Sequence, residues 1–184
     1  MPPKVKISRQ MIIEAAMQIV REKGHEYLNV RTIADQLECS TQPVMYNFKT
    51  VEKLREEVYR FADEYHSEYI MPKGDKGIDP LLELGLNYIR FGHEEKNLFR
   101  FLFQTNGFDG ANMMALVSDP DAAEMVRMVS GAVGCDEETA KGMFFSLFAS
   151  AHGIASLLAN NRMEYEEDLF CKVLQNTYRG IGGQ

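Results

Sequence analysis

Cysteine is scarce in this sequence. The 184 residues hold three, Cys39, Cys135 and Cys171, an odd number, far apart and without a Cys-x-x-Cys pair. Neither a disulfide framework nor a zinc site is implied, and reduced, buried thiols are the expected state. Long hydrophobic runs are missing too. No uninterrupted apolar stretch approaches the roughly 20 residues of a membrane span, and the N-terminus lacks the apolar segment of a signal peptide. The expected compartment is therefore the cytoplasm. There is no assignable nucleophile–base constellation, glycine-rich phosphate loop or paired-carboxylate site, and no His/Asp cluster with metal-ligand spacing. These absences lead to the expectation of a protein that is not an enzyme and uses no metal and no cofactor. Internal repeats and low-complexity segments are also absent.

What is present is the composition of a globular chain, 45% hydrophobic and 26% charged, with enough length to bury a core. The net charge of −7 argues at first against a nucleic-acid partner. Its distribution removes the objection. Residues 1–60 carry ten Lys/Arg and eight Asp/Glu, a net of +2, and the remainder carries −9. Lys4, Lys6 and Arg9 precede the first acid, Glu14, and form a short basic arm of the kind that meets phosphates.

Helical periodicity runs through the chain, and the expected fold class is all-α with about nine helices. Ser8 caps a first helix with an apolar stripe of Ile12, Ala15, Ala16, Ile19 and Val20, which Gly24 ends. Residues 29–48 organise the rest. Asn29 is an N-cap, and Ile33, Ala34 and Leu37 lie on one side of a short helix. Ser40 is a second N-cap, with Pro43 in the following first turn. Val44 and Phe48 fall on the buried side of that second helix, leaving Thr41, Gln42, Tyr46 and Asn47 mostly on other faces. Two short helices joined by a tight turn, with Ala34 where they cross, make a helix-turn-helix, whose second helix enters a DNA major groove.

Residues Ile33-Ala34, Ser40, Phe48 and Leu54, preceded by Ala15-Ala16 and Gly24, resemble the N-terminal domain of the TetR (tetracycline-repressor) family of transcriptional regulators. The likeness covers roughly residues 7 to 60. Three positions depart from the family pattern. Glu38 stands where the turn usually has Gly, Met45 where a phosphate-contacting Tyr is usual (Tyr46 follows), and Val51 where a Lys is usual, between Lys49 and Lys53. The resemblance implies a DNA-binding domain at 1–49 and a helical ligand-binding and dimerisation domain at 50–184, with the helix over 50–70 as a shared link. It also implies a homodimer reading a near-palindromic operator, acting as a repressor released by a small apolar or amphipathic effector.

Further along, Asp79-Pro80 opens a helix. The apolar run at 98–103 is read as helix because its neighbours are helical. Asp119-Pro120 opens a helix ending near Val133, Asp136 caps a long one over 137–159, and a last helix spans about 165–179. In the long helix Ala149, Ser150, Gly153 and Ser156 form a strip of small residues that invites close approach of a second helix. The final helix is apolar on more than one side, as a two-fold four-helix dimer requires.

Thr41, Gln42, Tyr46 and Asn47 are the candidates for reading bases, since Gln and Asn match an adenine edge, Thr meets a thymine methyl and Tyr donates to phosphate. Arg31, Ser40, Lys49 and Thr50 sit near helix ends and suit the sugar-phosphate backbone. The C-terminal two-thirds is rich in Met and Phe, among them Met113, Met114 and Phe108, which suit an adaptable apolar pocket. Tyr65, Tyr88, Phe103, Met128 and Phe148 are its candidate lining. His93 and His152, lone on apolar helices, read as buried, hydrogen-bonded core or interface groups. The alternative function is a helical small-molecule carrier or enzyme that does not act on DNA.

Overall fold

The computed structural model describes residues 7–74, 77–105 and 122–182, with side chains described as far as 179. Lys4, Lys6, Met113, Met114, Phe108 and the Asp119-Pro120 pair lie outside these residues. The described residues form nine α-helices and one short 3-10 turn, with no strand. The chain is all-α, as its periodicity predicts.

The chain divides into two compact units, Met1–Ser67 with Glu95–Thr105, and Glu68–Glu94 with Asn106–Gln184. In the first unit, α1 (Arg9–Lys23) starts where the Ser8 hydroxyl accepts from the Met11 amide. It stops at Gly24, whose φ of +103° few other residues adopt and where a Cβ would lie 2.4 Å from Glu26 Oε2. A 3-10 turn at His25–Tyr27 leads to α2 (Val30–Gln36), capped by Asn29, whose Oδ1 accepts from Arg31 and Thr32 amides at 3.1 and 3.0 Å. Next come α3 (Thr41–Asn47) and α4 (Val51–Ile70), the latter capped by Thr50, whose hydroxyl accepts from Lys53 N. Ile12, Ala16, Ile19, Val20, Ile33, Ala34, Val44, Phe48, Leu54 and Val58 are all buried and supply the core expected from the stripes. A further helix, α6 (Lys96–Phe103), belongs to this unit and packs on α1. Its Leu98, Phe99, Phe101 and Leu102 are at most 1% exposed, so the ambiguous apolar run is a helix buried on most of its girth. The compact unit thus gathers more chain than residues 1–49.

The second unit takes the last turn of α4 with α5 (Pro80–Glu94), α7 (Ala123–Val133), α8 (Glu137–Asn160) and α9 (Glu167–Gly182). Asp79 caps α5 and Asp136 caps α8 through their side chains. Helix α7 ends at Gly134 in a left-handed conformation. Two buried polar groups on α5 serve backbone needs. Asn87 donates to the carbonyl of Ile70 at the end of α4, and Glu83 accepts from the Lys73 and Gly74 amides. Helices α5 and α8 cross where Gly92 meets Ala155; a Cβ on Gly92 would lie 2.7 Å from the Ala155 Cβ and 3.0 Å from its backbone, so the absence of a side chain sets how closely the helices approach.

Counting uninterrupted apolar runs does not anticipate one property of α8. Over 24 residues it reaches a mean hydropathy of 1.5 in an 18-residue window, long and apolar enough by length and composition to cross a membrane. Only 28% of that window is buried within the single chain.

Candidate nucleic-acid interface

Helix α3 is short, so its placement depends on a few anchors. Val44 and Phe48 are 1% and 2% exposed and turn one side of the helix inward. Four apart, they leave Thr41, Gln42, Met45 and Tyr46 outside, all four exposed; Tyr46 is 86% exposed, the most accessible large hydrophobic side chain among the described residues. An aromatic ring in water costs apolar hydration with no packing return, unlike the ordinary fate of a Tyr within a folded core.

Ser40 occupies the N-cap position with extended backbone, but its side chain makes no cap hydrogen bond. The reason lies in the sequence. An N-cap oxygen serves the N–H of the second or third helical residue; the third is Pro43, which has none, so one of the two amides is missing and only that of Gln42 remains. The Ser40 hydroxyl is left exposed at the start of the helix.

Asn47 differs from the other three base-reading candidates. It is half-buried, and its Nδ2 donates to the carbonyl of Pro43 at 2.8 Å, which closes the last turn of α3. Its own carbonyl accepts from Arg9 Nη1 at 2.9 Å. Arg9 in turn pairs with Glu57 on α4 at 3.2 Å and lies over the Phe48 ring, 4.2 Å from its centroid. This guanidinium therefore pins the end of α3 to α1 and α4, a role the sequence does not disclose. Arg31, Lys49 and Thr50 are exposed at the start of α2 and in the α3–α4 junction, with the Thr50 oxygen engaged in capping α4.

Glu38 sits in the turn between α2 and α3 with φ of +50°, the one non-glycine residue with positive φ among the described residues. The left-handed turn that glycine usually fills is retained here at the expense of a Cβ clash worth about 1–2 kcal/mol.

The five pocket-lining candidates divide between the units. Tyr65 and Phe103 belong to the first: the Tyr65 hydroxyl donates to Glu95 at 3.2 Å, and Phe103 packs edge-on against His66 at 5.0 Å. Tyr88, Met128 and Phe148 belong to the second. Tyr88 and Phe148 meet edge to face at 5.8 Å, and the Tyr88 hydroxyl lies 2.9 Å from His152 Nδ1. Burial raises the phenol of Tyr88 and lowers His152, so the two form a neutral pair near pH 7. Met128 packs on a cluster of Leu81, Val126, Val129, Ala140 and Met143. His152 is hydrogen-bonded as expected, but His93 departs from that reading. Its ring packs on Tyr165 at 5.0 Å, and its Nδ1 is buried without a hydrogen-bond partner among the described residues. No group of three or more potential metal ligands is found among the described residues.

Away from α3, residues 23–27 with Asn97 and Arg100 line a half-open cleft of about 360 Å³. Lys23 and Arg100 oppose Glu26 there, and the mixed lining selects no one ligand chemistry.

Sequence reasoning also missed a network at the other end of α1. Arg21 grips Glu95 with two N–H groups, Nε–Oε2 at 2.7 Å and Nη2 to Oε1, and Tyr65 bonds the same carboxylate. The Glu95 side chain is 9% exposed. This hydrogen bond is the largest influence raising the Arg21 pKa. No local pattern links positions 74 residues apart.

No protein-family model matches the chain, and neither does any curated protein. Solved structures do match. A TetR-like transcriptional regulator from Rhodococcus sp. RHA1 superimposes with a TM-score of 0.65 over the full length of both chains at 16% identity. A TetR variant from Acinetobacter baumannii AYE in complex with minocycline gives 0.63 at 17% identity, covering 95% of this chain and 96% of that one. A TetR-family member from Streptomyces coelicolor A3 gives 0.59 at 24% identity, covering 92% and 96%. The chain has the fold of the TetR-family regulators.

Proposed function

We propose that the protein is a DNA-binding transcriptional regulator, a repressor acting in the cytoplasm as a homodimer on a near-palindromic operator and released by a small-molecule effector. One observation carries the reading: Thr41, Gln42 and Tyr46 stand exposed on a helix whose other side is buried through Val44 and Phe48 and whose end is clamped by Arg9. Such a helix presents fixed polar groups to a groove without spending its own packing. Thr41, Gln42 and Tyr46 read base edges and adjacent phosphate; Arg31, Ser40, Lys49 and Thr50 contact the backbone; Asn47 holds the helix end and sits at the margin of the surface.

The effector reading draws on Tyr88, Phe148 and Met128 in the second unit, and on structural neighbours whose structures hold small molecules, minocycline in one and, in a multidrug binding protein, imidazole. That second protein superimposes with a TM-score of 0.57 at 22% identity, over 92% of this chain and 88% of its own. The dimer reading rests on α8 and α9. A largely unburied apolar α8, with Leu157 53% exposed and Leu169 and Val173 of α9 at 48% and 37%, is the surface of a helical bundle awaiting a second copy.

The test is a titration of duplexes selected from a random library at two salt concentrations. Gln42→Ala is expected to cost about 1–3 kcal/mol on the preferred sequence and little on a scrambled one. Lys49→Ala should weaken both alike and reduce the salt slope by about one. Equal losses for Gln42→Ala on both duplexes would remove it from specificity. Failure of the wild-type protein to bind any duplex, even at low salt, overturns the function and favours the carrier or enzyme alternative, for which turnover without DNA is the positive sign.

A further inference from the structure

We infer that Arg9 is a positioning residue for sequence recognition: held by Asn47, Phe48 and Glu57, it fixes the pose of α3 from which Thr41, Gln42 and Tyr46 read bases, without a DNA contact of its own. The inference rests on the regulator reading above and names a residue that sets how sharply the surface discriminates. All the residues involved lie in the first unit.

Helix α3 has seven residues, too few to hold its shape without tertiary support. Its first turn is loosely tied, because the Ser40 hydroxyl makes no cap bond and Pro43 supplies no amide. The last turn carries the ties instead. No glycine follows it to fold the chain back over the free carbonyls; Phe48 leaves the helix in an extended conformation, with φ −127° and ψ 98°. Side chains take over that task. Asn47 Nδ2 donates to the Pro43 carbonyl at 2.8 Å, and Arg9 Nη1 donates to the Asn47 carbonyl at 2.9 Å.

Arg9 is the first residue of α1, where a cation opposes the helix dipole, yet it meets the C-terminal end of α3, where a cation is favoured. Its placement serves the neighbouring helix and not its own. Charge alone would hold it weakly: the Arg9 and Glu57 side chains are 48% and 34% exposed, and exposed ion pairs contribute little. Geometry adds what charge does not. The guanidinium carbon lies over the Phe48 ring, 4.2 Å from its centroid, while Nη1 reaches Asn47 and Nη2 reaches Glu57 at 3.2 Å. Phe48 is itself 2% exposed, so the ring on which Arg9 rests is fixed by the core. Two nitrogens and the face of one group are engaged at once, a combination that a lysine ammonium does not supply. A binding surface needs supporting contacts that hold it within about 0.5 Å and 10–20°, and Arg9 ties the end of α3 to both α1 and α4.

The experiment measures binding of the full-length protein to the selected and scrambled duplexes at two salt concentrations and reads the ratio of the two affinities. In Arg9→Gln the ratio should fall by about tenfold, toward the lower end of what one base contact supplies, with the salt slope unchanged. Arg9→Lys should fall nearly as far, because it keeps the charge and loses the fork. Glu57→Gln, which cuts one of the three contacts, should lower the ratio by about twofold to threefold and serves if Arg9→Gln does not fold. An equal loss on both duplexes, with the slope reduced by about one and Arg9→Lys restoring it, makes Arg9 a phosphate contact and overturns the inference. An unchanged ratio in all three variants, with only the unfolding midpoint shifted, makes the clamp a matter of stability and overturns it too. Either result leaves the regulator reading standing. A wild type that binds no duplex fails the regulator reading itself, and this inference with it.

Discussion

The two units treat exposed side chains in opposite ways. In the first, the conspicuous outward residues are Thr41, Gln42 and Tyr46, polar or amphipathic groups on a helix with only a narrow buried edge. In the second, they are Leu157, Leu169 and Val173, aliphatic groups on helices that contribute to a core on their other sides. The contrast teaches that exposure has two meanings here. Polar groups fixed on a small helix remain hydrated at little cost and need no covering surface. Aliphatic groups on long adjoining helices pay hydration continuously, and a covering surface relieves that cost.

The largest effect should come from breaking the aliphatic side of this comparison. If a second copy covers Leu157, a carboxylate placed there is buried without a partner. Leu157→Glu is then expected to weaken association by on the order of a hundredfold or more, about 3 kcal/mol. Sedimentation should show the wild type at twice the 21.0 kDa chain mass and the variant as single chains at micromolar concentration. Exposed Tyr46→Glu, by contrast, should leave the mass unchanged. A Leu157→Glu protein that sediments like the wild type removes this face from the interface.

A pH profile probes the first unit next. His66 is 7% exposed and packs against Phe103, and burial lowers its pKa from 6.5 to about 4. The unfolded chain therefore binds the proton more tightly than the folded one. Stability is full above pH 6.5, declines as pH falls from 6.5 towards 4, and levels below that, for a total of about 3 kcal/mol. Urea unfolding from pH 7 to 4 should show this slope in the wild type and its loss in His66→Phe, where no proton binds. Parallel profiles for the two proteins would assign the acid sensitivity elsewhere.

The parts of the molecule legible in the sequence are those written in local chemistry. Asn29, Asp79 and Asp136 cap helices because an oxygen three residues from an amide can reach it, and Gly24 ends α1 because its backbone turns where others do not. The Val44–Phe48 spacing told which side of α3 is buried, and hence which side faces outward. Ser40 shows the limit of that logic: the N-cap position was legible, but Pro43, a residue noted for another reason, removes one of the two amides the cap could serve, and no cap bond forms. Arg9 and Arg21 were illegible altogether. Their partners lie 38 and 74 positions away, and no periodicity encodes which cation a folded chain will bring to which carbonyl or carboxylate. For the same reason α6 was recognised as a helix but not as a companion of α1, since an apolar run records that it is buried and not against what.

The smallest expected effect lies in the turn between α2 and α3, at Glu38. Its left-handed backbone in the α2–α3 turn costs about 1–2 kcal/mol for a residue with a Cβ. Glycine removes that strain but enlarges the conformational freedom lost on folding by about 0.5–1 kcal/mol. Glu38→Gly should therefore stabilise the protein by somewhat less than about 1 kcal/mol in denaturant unfolding. Glu38→Ala separates backbone from charge. It removes the same exposed carboxylate from the neighbourhood of α3 and keeps the Cβ, so both variants should bind duplex DNA more tightly through lost repulsion, while only the glycine variant gains stability. Equal unfolding midpoints for the two would mean that the turn relaxes around its side chain, and that the departure from glycine at this position acts on DNA affinity through charge alone.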